Sequence, residues 1–146
     1  MKIILGFLSA VAVTYILGTA FVSQGNIAAV VDMGFDVTGK HRLDALIHDL
    51  THMYDLYLPL VAIGLLIALS VAGGIIRFVP NLRLIGYVSA GFVGMIALHV
   101  ILKAVLGLSG IAPTREVLGL LAQGFAGAVG GYAFHLITVK TQNTAG

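Results

Sequence analysis

The sequence contains no cysteine, and charged side chains make up only 10% of its 146 residues. Without cysteine, the chain forms no disulfide, no thiolate nucleophile and no cysteine-ligated zinc or iron–sulfur centre. Its formal charge of +2 comes from scattered side chains with no polybasic run. The electrostatic footprint of a nucleic-acid-binding protein is therefore missing. The shortage of charge indicates a membrane protein instead, because soluble domains carry about a quarter charged residues.

Hydrophobic residues make up 59% of the chain and fall mainly in four long runs. The runs cover residues 3–22, 56–76, 84–108 and 117–139. Each run is long enough to cross a hydrocarbon core about 30 Å thick as a helix, which satisfies its own backbone hydrogen bonds in lipid. The sequence therefore predicts an all-α, integral membrane four-helix bundle in which residues 1–146 form a single transmembrane domain.

The first run follows Lys2 and has a feature of a secretory signal peptide, because small residues at 18–20 resemble a cleavage site. The run is longer than the apolar region of about 7–15 residues that is typical of signal peptides, and three further spans follow it. We therefore expect a retained first helix. Residues 23–55 then form the one sizeable extramembrane segment, and the later spans are separated by turns at Pro80 and Pro113.

Charged residues are divided unequally between the two sides of the predicted membrane. Lys2, Arg77, Arg83 and Lys140 fall on one side with no acidic residue among them, whereas all six acidic residues fall on the other side. The count of Lys and Arg alone is equal on the two sides, so the positive-inside rule gives only a modest preference. We expect a bacterial inner-membrane protein with both termini in the cytoplasm.

The segment 41–57 carries its polar residues at helical spacing. His41, Asp44, His48, His52 and Asp55 lie along one stripe if this segment is a helix. One interpretation is an interfacial amphipathic helix on the outer membrane surface. The alternative is a divalent-metal or haem site, in which the histidines at 48 and 52 lie one turn apart and the aspartates at 44 and 55 add oxygen ligands.

Residues 34–40 fit the pattern G-x-x-x-x-G-K of a nucleotide-binding loop. His41 occupies the next position, where such a loop has the Ser or Thr that binds magnesium, and Asp36 would repel phosphate inside the loop. No strand is predicted before the segment. We therefore expect no nucleotide as a partner.

Four polar side chains lie within the predicted spans: His99, Lys103, Gln123 and His135. Ionisable groups at membrane depth are costly and are candidates for function. His99 is roughly 22 Å from the inner end of its helix and His135 about 6 Å, so the two cannot share one metal ion or haem within a single unit. No Asp or Glu lies within a span, so the carboxylate used by small proton-coupled drug exporters has no counterpart.

Small residues recur at every fourth position in the spans, a spacing that lets membrane helices pack closely. They are Gly6, Ala10, Thr14 and Gly18 in the first span, Gly64, Ala68 and Ala72 in the second, Gly86, Ala90 and Gly94 in the third, and Gly127 and Gly131 in the fourth. Four such stripes exceed the needs of one bundle interior, so we expect at least one to face another copy or a larger membrane-protein partner.

Three functions agree with these features. The favoured hypothesis is a non-enzymatic subunit or interaction partner of a membrane assembly, because the spans are poor in polar residues and the loops are short. The alternatives are a metal- or haem-binding protein that uses His48 and His52, and a channel formed by an oligomer with His99 and Lys103 on its path. An enzyme is disfavoured, because the residues provide no combination of nucleophile, base and orienting group.

Overall fold

The computed structural model describes residues 1–107 and 116–139, and within them every regular element is helical. The elements are α1 (Lys2–Asp32), α2 (Gly39–His52), α3 (Tyr54–Ile76), a short 3-10 turn (Pro80–Leu82), α4 (Arg83–Leu106) and α5 (Val117–Val139). Four of them, all except α2, are long and apolar enough to cross a membrane. The predictions of an all-α chain and of four candidate spans are confirmed. Pro113, Arg115, Lys140 and the predicted end of the third span at residue 108 lie outside the described residues.

Helix α1 extends ten residues beyond the apolar run that marks the first predicted span. The run ends at Val22, but the polar segment 23–26 continues the helix, and Ile27 is again buried. Polar residues end a hydropathy signal without ending a helix, because the backbone hydrogen bonds do not depend on the side chains. The predicted start of the extramembrane connection at residue 23 is therefore inside a helix.

Helix α2 begins after Thr38, whose side-chain oxygen accepts a hydrogen bond from the backbone N–H of His41 at 3.4 Å. This is an N-cap, which satisfies a donor that the first turn leaves free. The helix ends at His52, and α3 begins at Tyr54 after a break at Met53. Asp55 therefore belongs to α3, and the predicted stripe is divided between two helices.

Helix α2 runs antiparallel to the second half of α1. Arg42 near its start donates a hydrogen bond to the side-chain oxygen of Gln24 at 3.2 Å. Near its end, the backbone oxygen of Leu50 accepts a hydrogen bond of 2.8 Å from the hydroxyl of Tyr15. These two contacts hold α2 along α1, so α3 starts level with the middle of α1 rather than with its end.

The long helices pack in an order that differs from their order in the sequence. Helix α5 packs against both α1 and α4, and α4 also packs against α3. Helices α1 and α3 meet at Tyr15 and Tyr57, whose ring centroids are 5.9 Å apart. Ile3, Arg77, Arg83 and Thr138 line one cavity, so the start of α1, the end of α3, the start of α4 and the end of α5 lie together.

We call this end, with Lys2, Arg77 and Arg83, the basic end. The acidic residues of the described chain are in the other half of the molecule, in the last turn of α1, the 33–38 connection, α2, and the starts of α3 and α5.

Candidate functional site

The two histidines of the predicted metal site stack on each other. The ring centroids of His48 and His52 are 4.1 Å apart, and the ring planes differ by 10°. The Nδ1–H of His52 donates to the backbone oxygen of His48 at 2.8 Å. Lone pairs of imidazole nitrogens lie in the ring plane, so two nearly parallel stacked rings do not direct them to one point. A shared metal ion would require one ring to leave the stack.

The aspartates do not complete a site around this pair. The Nδ1 atom of His48 instead lies 3.4 Å from the Oδ1 atom of Asp49, the residue that follows it. Asp44 and Asp55 are exposed on different helices. Within residues 1–107 and 116–139, no group of three or more His, Cys, Asp or Glu side chains is arranged to hold a metal ion.

Gln123 forms the centre of a buried polar contact between three helices. Its side-chain oxygen accepts a hydrogen bond from the hydroxyl of Tyr57, and its side-chain nitrogen donates to the backbone oxygen of Gly18 at 3.0 Å. Tyr57 is 3% exposed and Gln123 1%. A Cβ on Gly18 would overlap both partners, so a glycine is needed for this close approach. The contact joins α1, α3 and α5 and leaves Gln123 little freedom to act on a ligand.

The other polar residues of the candidate spans are divided between two places, one on α4 and one on α5. His99 is buried, its ring centroid is 6.2 Å from that of Tyr57, and its Nδ1–H donates to the backbone oxygen of Met95. Lys103, one turn later, is exposed. His135 is half-buried in the basic half of the molecule, where the neighbouring Phe134 packs against Tyr87. These side chains form no common cluster.

The small residues of α1 and α5 are used inside the chain. Gly6 faces Phe134 and Thr138, and Gly130 lies against Ala10 and Thr14. Thr14 also donates a hydrogen bond of 3.4 Å to the backbone of Ala126. Gly127 and Gly131 contact the backbone of α4 at Gly91 and Tyr87. Close helix approach explains these positions without a second protein.

The small residues of α3 and α4 instead share a surface with a groove. They are Gly64, Ala68 and Ala72 on α3, and Gly86, Ala90 and Gly94 on α4. Each glycine in this set lies against a side chain of the facing helix: Leu98, Ile76 and Ala68 lie closest to positions 64, 86 and 94. The helices approach closely, and the small side chains form the floor of the groove.

Large β-branched side chains form the two walls of this groove. The wall on α3 consists of Ile63, Ile67, Val71 and Ile75, and the wall on α4 includes Ile85, Val93 and Ile101; each of these side chains is more than half exposed. They repeat every fourth or eighth residue, so each wall is a continuous ridge that runs obliquely along its helix. Branching at Cβ restricts χ1, so these ridges lose little side-chain entropy when they are covered.

The groove is large and almost free of polar groups. Its volume is about 720 Å³, and its lining contains a single polar side chain, Ser89, among the described residues. From Ile63 to Ile76 it follows α3 for about 20 Å. Such a surface offers no acid, base or nucleophile for chemistry. It is suited to binding an apolar rod of similar length.

The small residues that form the groove floor were identified from the sequence as stripes, but the groove itself was not predicted. It did not identify Tyr57 as the partner of Gln123 or Gly91 as the contact of Gly127. The apolar residues at 63, 67, 71 and 75 recur at every fourth position, and this spacing is the feature of the sequence that could have indicated the groove wall on α3. The chain matches no protein-family model, no curated protein and no solved structure.

Proposed function

We propose that this protein is a non-enzymatic subunit of a membrane assembly, and that the groove between α3 and α4 receives a transmembrane helix of a different membrane protein. The observation that carries the proposal is the combination of a floor of small residues with two β-branched walls along a length of about 20 Å. In lipid there is no hydrophobic drive between helices, so association depends on close packing of this kind.

The spacing of the walls favours a helix as the occupant. Side chains on helices form ridges along every fourth residue, and helices associate when the ridges of one enter the grooves of another. Ile67 and Val71 on one wall and Val93 on the other stand above a floor that includes Ala90. An incoming helix can place its own ridge on this floor while the two walls contact its flanks.

The concave shape argues against a symmetric pair of copies joined at the groove. A two-fold symmetric interface places the same surface patch of each copy against the other. Two facing grooves would touch at their walls and leave both floors empty, which forfeits the packing contacts that lipid-embedded helices need. A single convex helix fills the groove. If a different protein supplies that helix, the assembly ends there, whereas a helix supplied by another copy would continue into an open chain of copies.

The chain is placed in the membrane as follows from its charges and apolar helices. The four long helices cross a bacterial inner membrane as a bundle, and α2 lies at the outer interface with Leu43 and Ile47, both more than half exposed, toward the lipid. The basic end faces the cytoplasm with both termini, because Lys and Arg are enriched in cytoplasmic segments. Lys2, Arg77 and Arg83 at one end, with the described acidic residues elsewhere, support this orientation.

Thiol labelling of intact cells tests the orientation. In a chain without native cysteine, Thr38→Cys is expected to react with a membrane-impermeant maleimide added outside, and Asn81→Cys only after the cells are opened. The reason is that Thr38 precedes α2, whereas Asn81 lies in the turn at the basic end. Labelling of Asn81→Cys in intact cells would contradict the placement.

Filling the groove tests the proposed function. Ser89 is exposed in the groove, so Ser89→Phe should obstruct the groove without disturbing the packed core. We expect this variant to lose the photo-cross-link that a benzoylphenylalanine at position 67 forms with the partner protein in native membranes, with the yield falling roughly tenfold. The yield is measured on blots against the tagged chain.

The matched control is Ala12→Phe, which also adds a phenyl group to an exposed position of a spanning helix but lies on α1, outside the groove. It should leave the cross-link yield unchanged. Equal yields for Ser89→Phe and Ala12→Phe, with both proteins folded in thermal melts, would rule out the groove as the docking site.

A further inference from the structure

A second cavity opens at the basic end, on the other side of α3 from the groove. Its volume is about 810 Å³, and its walls come from α1, α3, α4 and α5. It separates the start of α1, at Ile3 and Phe7, from the second half of α3, at Leu66 and Leu69.

Two guanidinium groups lie at one end of the cavity. Arg77 follows the last residue of α3, and Arg83 is the first residue of α4; both line the cavity. The Cζ atom of Arg83 is 5.7 Å from the centroid of the Tyr87 ring, a cation–π contact that positions the guanidinium. The Nε atom of Arg83 is buried and has no hydrogen-bond partner among the described residues.

The start of α4 adds to the positive potential at this place. Its N-cap residue, Leu82, provides no side-chain hydrogen bond, and its first turn contains no acidic residue. The backbone N–H of Arg83 donates to the oxygen of Pro80 in the preceding 3-10 turn, so the start of α4 contributes through its dipole, and the two guanidinium groups carry the main preference for an anion. No acidic side chain lines the cavity, so the two arginines have no internal counter-ion in its described walls.

The remainder of the cavity is long and mainly apolar, with Ser70 and Thr138 as its polar exceptions. From Arg77 back to Leu66, α3 follows the cavity for about 16 Å, and Phe7 and Phe134 face the same space from α1 and α5. A free inorganic anion would use only the arginine end. A ligand that uses the whole cavity needs an anionic head and an apolar body.

We infer that this cavity binds one anionic phospholipid, with its phosphate at Arg77 and Arg83 and an acyl chain between α1 and α3. The arginines form charge-assisted hydrogen bonds with the phosphate, for which the planar guanidinium is well suited. The acyl chain lies along Phe7 and Leu66, between the start of α1 and the second half of α3. This site is independent of the partner helix proposed for the groove.

Lipid titration of the purified full chain in a mild non-ionic detergent tests the inference, with native mass spectrometry as the readout. Phosphatidylglycerol is expected to form a one-to-one complex that raises the melting temperature. Phosphatidylcholine at the same concentration should bind roughly tenfold or more weakly, since it has no net negative charge. Inorganic phosphate should give no shift in melting temperature at that concentration.

Two variants and one control locate the site. Arg83→Gln removes a charge-assisted hydrogen bond and should weaken phosphatidylglycerol binding roughly tenfold or more. Gly74→Phe places a ring in the cavity, where a Cβ at position 74 meets nothing within 4 Å, and should weaken binding similarly while both guanidinium groups are retained. Lys103→Gln removes an exposed charge at the far end of α4 and should leave binding unchanged.

Selective one-to-one binding that both variants weaken supports the inference, and either variant alone is sufficient support if the other fails to fold. Equal binding of the two lipids, an equal thermal shift with inorganic phosphate, or undiminished binding in folded Arg83→Gln and Gly74→Phe would overturn it.

Discussion

Replacing Gly91 with alanine is expected to destabilise the protein by about 3 kcal/mol or more, or to prevent folding, although the change adds one methyl group. A Cβ at this position would overlap the backbone oxygen of Gly127 on α5. Backbone cannot move aside as a flexible side chain can, so the whole α4–α5 interface must separate. This interface also holds Gly131 against the backbone of Tyr87, and it would be lost along most of its length.

Gly74→Ala is the matched control, because it makes the same chemical change in another long apolar helix, in the last turn of α3. A Cβ at Gly74 meets nothing within 4 Å, and alanine is the better helix former by about 1 kcal/mol. This variant should melt at the temperature of the native protein or above it. Thermal melts in detergent, followed by circular dichroism, compare the two; similar melting temperatures would show that α4 and α5 do not pack at Gly91.

Removal of the Tyr57 hydroxyl should destabilise the protein by about 1–2 kcal/mol, because Tyr57→Phe leaves the buried side-chain oxygen of Gln123 without its donor. Gln123→Met should be at least as damaging, since it removes that contact and the hydrogen bond of 3.0 Å to the Gly18 backbone. Both side chains are nearly inaccessible, so water cannot easily replace the missing partner.

The double variant separates this contact from a general loss of packing. Once both partners are apolar, no unsatisfied group from the pair remains, and the combined cost should fall short of the sum of the single costs by about 1 kcal/mol. Unfolding free energies of the four proteins in one detergent provide the cycle. Strict additivity would mean that Tyr57 and Gln123 do not interact.

The sequence predicted the helices better than it predicted their contacts. The run at 117–139 coincides with α5, and the run at 56–76 differs from α3 only at its first two residues, because apolar length is a local property. The continuation of α1 past the apolar run at 3–22 was not indicated by hydropathy. The polar residues from Ser23 onward interrupt hydropathy, but they pack beside α2, which the hydropathy of α1 alone does not indicate.

Contacts between distant segments could not be predicted in this way. Tyr57 and Gln123 are 66 positions apart, and no spacing within either helix reveals the rotation and depth at which they meet. The same holds for α4, where Gly86 and Gly94 face α3 but Gly91 faces α5. The stripes indicated which positions are small, whereas the packing order of the helices decides which stripe faces a neighbour and which lines a groove.

The most direct test of the proposed function is the identity of the protein segment that cross-links to position 67. Ile67 in the groove wall and Leu8 on the outer face of α1 are 61% and 57% exposed, so a photoreactive benzoylphenylalanine at each samples the membrane equally. Mass spectrometry of the adducts formed in native membranes should find, at position 67 only, a peptide from an apolar spanning segment of one other membrane protein. Adducts with lipid alone, with another copy of this chain, or with the same proteins at positions 67 and 8 would contradict the proposal that the groove receives a partner helix.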